Sequence, residues 1–143
     1  MLVNEGLDYI LNSSMPFNAT AVARETNWYL VPYTNSRTVQ LTDTMANLAA
    51  YGEITQYDEV SRREVVLGGP STAQVVNNHA AAAEFTFNAG LTLRGFIVTN
   101  GEAKSAGTGL MLAAQNIDPV RTIYAGDQYA IRWSLGLKNA DPA

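Results

Sequence analysis

The feature that most constrains the fold is an alternation of apolar and polar residues in the stretch "YAIRWSLGL". Apolar residues occupy every second position of it, namely Tyr129, Ile131, Trp133, Leu135 and Leu137. Since successive side chains of a strand point to opposite faces of its sheet, this pattern predicts a β-strand with one buried face. We therefore expect Trp133 and the apolar residues around it to lie in the core.

Several other segments have the composition of strands bounded by turns. Phe85 and Phe87 alternate with polar residues in "AEFTFNAG", "SRREVVLGGP" ends in a Gly-Pro turn, and a short strand is expected around Ile123. The strands "LTLRGFIVTN" and "LMLAAQN" flank "GEAKSAGTG", which we interpret as a flexible hairpin loop. About six to eight closely spaced strands favour a mainly β fold, a jelly-roll-like β-sandwich.

The N-terminal third is expected to add one or two short helices. Asn4 is placed to cap a first helix whose Leu7, Ile10 and Leu11 share a face with Val3. Residues 1–15 are thus predicted to form a helix, or an arm that orders either against a neighbouring molecule or on its own core.

The following segments divide into a strand and a second helix. An extended segment is expected from Asn27 to Tyr33, with Pro32 at an edge or a bulge. Asp43 is predicted to cap a second helix that ends at Gly52. A chain of 143 residues can bury one core. Residues 1–143 are therefore predicted to form a single β-sandwich domain.

Composition argues against several classes of partner. The formal net charge is -4 and the lysines are Lys104 and Lys138, whereas nucleic-acid binding requires clustered Lys and Arg. No apolar run approaches the roughly 20 residues of a membrane span, and carboxylates stand where a signal peptide would be basic. We expect a soluble, unexported protein without direct nucleic-acid or membrane contact. Its low charged fraction, 15%, is compatible with burial in an assembly.

The polar residues provide no recognisable catalytic or metal site. His79 is the single histidine and the chain has no cysteine, so no three-ligand zinc site is predicted. Glu53, Asp58 and Glu59 lack EF-hand spacing and are expected to be solvated charges. No serine lies in a G-x-S-x-G turn. We therefore predict no catalytic residue, metal ligand or cofactor, and a protein that is not an enzyme.

Two further groups of residues allow alternative interpretations. Arg62 and Arg63 lie beside Glu59 and Glu64, which favours an ion-pair cluster over a nucleic-acid patch. The aromatic residues could form a platform for sugars or belong to the core, and the alternation around Trp133 favours the core. This set comprises Trp28, Tyr29, Tyr33, Tyr129 and Trp133.

The order of segments along the chain resembles that of small structural proteins of tailed bacteriophages. The segments are "NEGLDYIL", "NWYLVPYT", "YGEITQYDE" with the following "RRE", "AEFTFNAGLTLRGFIVTN" and "AGDQYAIRWSLGL". In particular they resemble the capsid cement, or decoration, proteins of short-tailed phages. This resemblance implies a jelly roll that binds the major capsid protein on the outer capsid surface of the virion, after assembly in the host cytoplasm.

Under this interpretation the protein stabilises the shell and acts as a homodimer or homotrimer. The candidate partner contacts are Leu2, Val3, Trp28, Tyr29, Arg62 and Arg63. Two alternatives stay open: a tail or baseplate component of the same virion, and a carbohydrate-binding β-sandwich module.

Overall fold

The computed structural model describes residues 1–14, 25–68 and 75–136. Over these residues the protein is mainly β, with antiparallel sheets and short helices, as the sequence predicts. Its helices are α1 (Asn4–Ser14) and α2 (Leu48–Tyr51), the latter preceded by a 3₁₀ turn (Met45–Asn47). The strands are β1 (Tyr29–Tyr33), β2 (Arg63–Glu64), β3 (Val75–Asn77), β4 (Ala83–Thr86), β5 (Leu91–Thr99), β6 (Met111–Ile123), β7 (Gln128–Ile131) and β8 (Ser134–Gly136).

Four strands form the main sheet, in the order β2, β1, β5, β6, with every neighbouring pair antiparallel. In β5 the five residues from Gly95 to Thr99 are all buried. A strand covered on both faces needs apolar residues at successive positions, which explains why "GFIV" is apolar without alternation, while the buried Thr99 hydroxyl accepts from the Gly101 N–H at 3.2 Å.

The other four strands form a long two-stranded ribbon, in which β4 pairs with β7 and β3 with β8. Residues 78–82 interrupt one side of this ribbon, and the buried side chain of Asn78 bridges the interruption. Asn78 Oδ1 accepts from the Trp133 N–H at 2.6 Å, and Nδ2 donates to the Ile131 carbonyl at 3.1 Å. These bonds replace ladder bonds of a regular strand, so the ribbon continues past the interruption.

Apolar side chains cover both faces of the main sheet. The ribbon side buries a cluster that includes Leu30, Leu93, Phe96, Val98, Phe85 and Phe87. The opposite side carries α2 and buries a second cluster that includes Val31, Tyr33, Ile97, Met45, Leu48 and Tyr51. The arrangement is consistent with a β-sandwich with short helices. The more specific prediction of a jelly roll is not confirmed by the described strands.

Helix α1 is present as predicted, but its buried face differs from the predicted one. Val3 is fully buried and Ile10 packs partly on the core. Between them, a Cβ on Gly6 would lie 2.1 Å from the Leu112 carbonyl oxygen, so glycine permits the close contact of α1 with β6. Because this contact follows Val3, Gly6 and Ile10, Leu7 and Leu11 fall outside it and are 39% and 56% exposed.

The residues before α1 pack on this chain's own core. Leu2 forms a β-bridge with Ala113, and the Ala114 N–H donates to the Met1 carbonyl at 3.0 Å. Of the two alternatives for this segment, packing on the core of the same chain is the one observed.

The second helix ends as predicted, at Gly52, whose φ is +68°. Its predicted cap is wrong. Thr44 is the N-terminal cap of the 3₁₀ turn, and its N–H donates to Asn47 Oδ1 at 2.9 Å. Asp43 is buried instead, because its carboxylate binds other partners described below.

Pro32 does not lie on an edge strand, because β1 has neighbours on both sides. Its position is nevertheless edge-like. Strand β2 pairs only with Tyr29 and Leu30, and beyond it the Pro32 carbonyl accepts from the Ile54 N–H at 2.8 Å. Since the N and O of one strand residue point to the same side, the nitrogen that lacks a proton faces away from β5.

The strand expected around Ile123 is part of the thirteen-residue strand β6. Leu93 is opposite Arg121, whereas Gly95 is opposite Asn116, so residues 117–120 form a bulge in β6. Pro119 lies in this bulge, where a missing N–H breaks no ladder bond.

Candidate functional site

An open apolar cleft of about 900 Å³ lies between the main sheet and the ribbon. Its floor comes from the main sheet and includes Leu93, Phe96, Val98 and Ala113. Its roof is the odd-numbered side of the ribbon, comprising Tyr129, Ile131, Trp133 and Leu135. Apolar walls on both sides define a site that would bind apolar surface.

The roof shows how far the burial predicted from the alternation in "YAIRWSLGL" is observed. The four odd-numbered residues from Tyr129 to Leu135 are all half-buried, whereas the even-numbered residues from Gln128 to Gly136 are all exposed. The prediction of two different faces is therefore confirmed. The prediction that Trp133 belongs to the core is confirmed in part: Tyr129, Ile131 and Trp133 pack against the core cluster on the ribbon side, but the cleft leaves this face only partly covered. Leu137 lies outside the described residues.

Charged residues stand at the rim of the cleft. Asp118 and Arg121 come from β6 and its bulge, and Arg132 lies between β7 and β8. All three are exposed, and none of their side chains makes a hydrogen bond or ion pair with the described part of the chain. These residues carry no local sequence signal, because only the tertiary structure brings residue 132 to the same cleft as residues 118 and 121.

In contrast to the exposed charges at the rim, Arg62 is buried. It is 2% exposed, and its Nε and Nη2 donate to the two carboxylate oxygens of Glu53, each at 2.9 Å. Its Nη1 and Nη2 also donate to the carbonyls of Gly101 and Ala106, at 2.9 and 3.0 Å. A buried guanidinium with this many partners is a structural group.

This brace, formed by Arg62 and Glu53, corrects three predictions. The predicted ion pair of Arg62 is present, but its partner is Glu53 and neither Glu59 nor Glu64. Glu53 is not a solvated charge, since its side chain is 4% exposed. The loop "GEAKSAGTG" is not loosely held, because Arg62 binds two of its carbonyls and the Ser105 N–H donates to Glu53 Oε2 at 2.8 Å.

Lys104 in the same loop is also used within the chain. Its Nζ donates to the carbonyls of Thr55 and Tyr57, at 3.2 and 2.9 Å. It lies 3.6 Å from the centroid of the Tyr57 ring, a favourable cation–π distance. Burial lowers the pKa of Lys104, and nearby carboxylates oppose that shift. The lysine therefore fixes the loop.

Two carboxylates of the predicted acidic group lie near the end of β4. Asp58 is exposed and accepts from Asn88 Nδ2 at 3.1 Å. Glu59 accepts from the Thr86 N–H at 3.2 Å. Only Asp58 thus fits the description of a solvated charge, while Glu59 supports the local backbone.

A second buried polar group lies under α2. The Tyr51 hydroxyl donates to Asp43 Oδ2 at 2.6 Å, and Arg37 pairs with Asp43 Oδ1. Burial, the largest single influence, would raise the pKa of Asp43, but hydrogen bonds from Arg37, Tyr51 and the Gln40 N–H outweigh it and lower the pKa. Burial and the bond to Asp43 raise the pKa of Tyr51 to about 12.

The candidate partner contacts divide by exposure. Val3 and Arg62 are buried in the chain's own core, so their side chains have no free surface for a partner in this conformation. Leu2, Trp28, Tyr29 and Arg63 are half-buried, and their contact with a partner stays a prediction.

The aromatic side chains do not form an exposed flat platform. Tyr33 is fully buried, and Trp28 packs edge-on against Tyr9 at 5.4 Å between ring centroids. Tyr129 and Trp133 line the cleft roof. The platform expected of a sugar-binding module is therefore not assembled by these residues.

The part of the chain that the structure describes contains no group of three or more metal-ligating side chains. His79 is exposed. Within the same residues, none of the helices is long and apolar enough to span a membrane.

A small apolar surface remains on the outside of the molecule, at α1. Leu7 and Leu11 are one turn apart on the exposed side of the helix. Leu41, which is 52% exposed, lies beside the first turn, where its carbonyl accepts from the Asn4 N–H at 2.7 Å. We call Leu7, Leu11 and Leu41 the outer leucine surface. In the sequence, Leu7 and Leu11 belong to the same apolar face as Val3 and Ile10, and the contact with β6 leaves these two leucines exposed.

No family model matches the chain, and no curated protein sequence matches it.

Proposed function

We propose that this protein is a structural component of a phage virion, a cement protein that binds the outside of the capsid and stabilises the shell. The proposal comes from the order of segments that resembles capsid cement proteins. Under it, the partner is the major capsid protein and the location is the outer capsid surface, reached after assembly in the host cytoplasm.

The structural observation that supports the proposal best is the outer leucine surface. Its three leucines are between 39% and 56% exposed, on a helix whose other side is fixed to β6. Exposed apolar side chains that lie together are typical of contact surfaces. We place the capsid contact on this surface.

Internal bracing also supports a mechanical role. A cement protein transmits force between capsomers only if its own framework resists deformation. The Arg62–Glu53 pair ties the loop between β5 and β6 to the segment after α2, and Lys104 ties the same loop to residues 55–57. Dense packing and buried hydrogen bonds give low compressibility.

The test uses phage heads produced without this protein by deletion of its gene. Full-length protein is added, the heads are sedimented, and the temperature at which they release DNA is measured. Cosedimentation that saturates, together with a higher release temperature, is the expected result.

A double variant, Leu7→Gln with Leu11→Gln, should weaken binding to heads at least tenfold. The matched control is Val60→Gln, because Val60 is 97% exposed but lies outside the outer leucine surface. Absence of binding by the full-length protein would contradict the cement role. Mass spectrometry of purified virions would then decide on a tail or baseplate role, in which the copy number is far lower than that of the capsid protein.

A further inference from the structure

Within the described residues, the ribbon has an unpaired strand edge beside the cleft. On one side of the ribbon, β4 is covered, because the Asp58 N–H donates to the Thr86 carbonyl at 2.9 Å and Tyr57 forms a β-bridge with Phe87. On the other side, no described strand pairs with β7 or β8. This edge runs along the mouth of the cleft.

The register shows which backbone groups face this edge. The odd-numbered residues Asp127, Ile131 and Trp133 bond towards the partner strand: the Asp127 carbonyl accepts from Phe87, and Ile131 and Trp133 bond to Asn78. Because backbone groups alternate sides along a strand, those of the even-numbered residues point outward. The N–H and C=O groups of Ala130, Arg132 and Ser134 are therefore presented to a partner strand.

We propose that a second copy of this chain pairs with this edge, antiparallel and about a two-fold axis, so that the two ribbons join into one four-stranded sheet over both clefts. With the axis at Ile131, Ala130 of one copy lies opposite Arg132 of the other, and Gln128 lies opposite Ser134. Both ribbons then present their half-buried apolar side chains to the same face, over the two clefts. This inference does not depend on the proposed function.

The charges at the rim favour a second copy over an unrelated partner. A two-fold interface brings the same patch from both molecules together, so the patch must complement itself. The rim carries one acidic and two basic side chains, Asp118, Arg121 and Arg132, none paired within the described chain. Each acidic group can thus find a basic group across the axis.

The same charges disfavour one neighbouring register. If the axis passed through residue 132, the two Arg132 side chains would lie directly opposite each other, and like charges at that position are destabilising. The axis at Ile131 instead places the small side chain of Ala130 opposite each Arg132.

The ribbon edge is suited to this pairing, whereas the β6 edge of the main sheet is not. In the main sheet, Met1 and Leu2 cover one part of the β6 edge, and the bulge at residues 117–120 disrupts the next part. Bulges and proline are common protections against edge-to-edge pairing. The ribbon edge from Gln128 to Ile131 contains neither a bulge nor a proline.

The first test measures self-association of the full chain by sedimentation equilibrium over a concentration series. The expected result is a monomer–dimer equilibrium in the micromolar range. Ala130→Pro removes an N–H that points to the open edge and should weaken dimerisation at least tenfold. Ala130→Val is the matched control, which keeps that N–H and should dimerise like the original chain. A monomer at all concentrations up to about 100 µM, or an equally strong dimer for Ala130→Pro, would overturn the proposal.

A second test reads the register directly and does not depend on the proline variant. The chain has no cysteine, so Ile131→Cys introduces one thiol per copy at the proposed axis. There the two Cα atoms of a non-hydrogen-bonded pair are about 4.5 Å apart, a distance that a disulfide can span. Mild oxidation should crosslink most of this variant into a covalent dimer.

The control for the crosslink is Ser134→Cys. In the proposed register two copies of residue 134 lie about 20 Å apart, at about 3.4 Å per residue, so this variant should not crosslink. Equal crosslinking of the two variants, or none for Ile131→Cys, would contradict the two-fold pairing.

Discussion

Two regions of this molecule use their side chains in opposite ways. The closed region comprises α2, the loop of residues 101–106 and the buried polar groups that fix them to residues 37–43 and 53–62. The cleft region comprises the apolar floor on the other face of the main sheet and the half-buried roof of the ribbon. In the closed region charges are buried and paired, whereas at the cleft charges are exposed and the apolar side chains are only partly covered.

The difference shows that one sheet can be stabilised by buried ion pairs in one region and leave an apolar face partly uncovered in another. A buried ion pair constrains geometry because each partner is costly to leave alone in a low-dielectric interior. An apolar face that is only half covered retains free energy that further burial would release. The closed region therefore supports the fold, and the cleft region is the part available for association.

The largest effect on stability is expected from removing an arginine charge, and it should differ between the two regions. Arg62→Met leaves the buried carboxylate of Glu53 without its partner, so unfolding should become easier by about 3–5 kcal/mol. Arg132→Met at the cleft rim should change stability by less than about 0.5 kcal/mol. Urea unfolding of both variants, at a concentration where the chain is monomeric, gives the two values. Comparable losses would show that the regions do not differ in this way.

A second prediction compares aromatic residues within the ribbon. Phe85 is fully buried, so Phe85→Ala should cost about 3–5 kcal/mol. Trp133 is half-buried at the cleft, and Trp133→Ala should cost only about 1–2 kcal/mol, since less of its area leaves water on folding. Thermal unfolding of dilute protein gives the comparison. A cost for Trp133→Ala as large as that for Phe85→Ala would mean that the cleft is closed in solution.

A third prediction concerns alkaline pH and the closed region alone. The pKa of Tyr51 is raised to about 12, from an unfolded value near 10. A pKa raised by folding contributes stability that is fully present below about pH 10 and is lost as the pH rises towards 12. Urea midpoints measured from pH 8 to 11.5 should fall above pH 10, and less steeply in Tyr51→Phe. An equal slope in the two proteins would contradict the assignment to Tyr51.

The smallest effect is expected from removing one hydroxyl. Tyr57 Oη is buried without a hydrogen-bond partner in the described structure, and burial raises the pKa of this tyrosine. Tyr57→Phe keeps the ring contacted by Lys104 and should leave stability unchanged or raise it by up to about 1 kcal/mol. Its matched comparison is Tyr51→Phe, which loses a bonded hydroxyl and should be destabilised. A loss in Tyr57→Phe at neutral pH would indicate a partner for that hydroxyl.

Sequence reasoning was most successful where local patterns determine structure. It predicted α1, the end of α2 at Gly52, and the strand segments "AEFTFNAG" and "LTLRGFIVTN" that contain β4 and β5. Periodicity and glycine at positive φ act over a few residues, so the sequence displays them directly. It missed the pairing of Arg62 with Glu53, since three other carboxylates lie nearer to Arg62 in sequence. Only the packing of the loop of residues 101–106 over Arg62 makes this pair the buried one.

The sequence alone determined which side chains share a face, because the two-residue period of a strand is a property of the local backbone. It separated the odd from the even residues between Tyr129 and Leu135, and it indicated a mainly β fold. Only the tertiary structure decided whether that apolar face is covered, since coverage depends on strands that are distant in sequence. In the described part of the chain, Tyr129, Ile131 and Trp133 do pack against the core, but the cleft beside them leaves their face only partly covered.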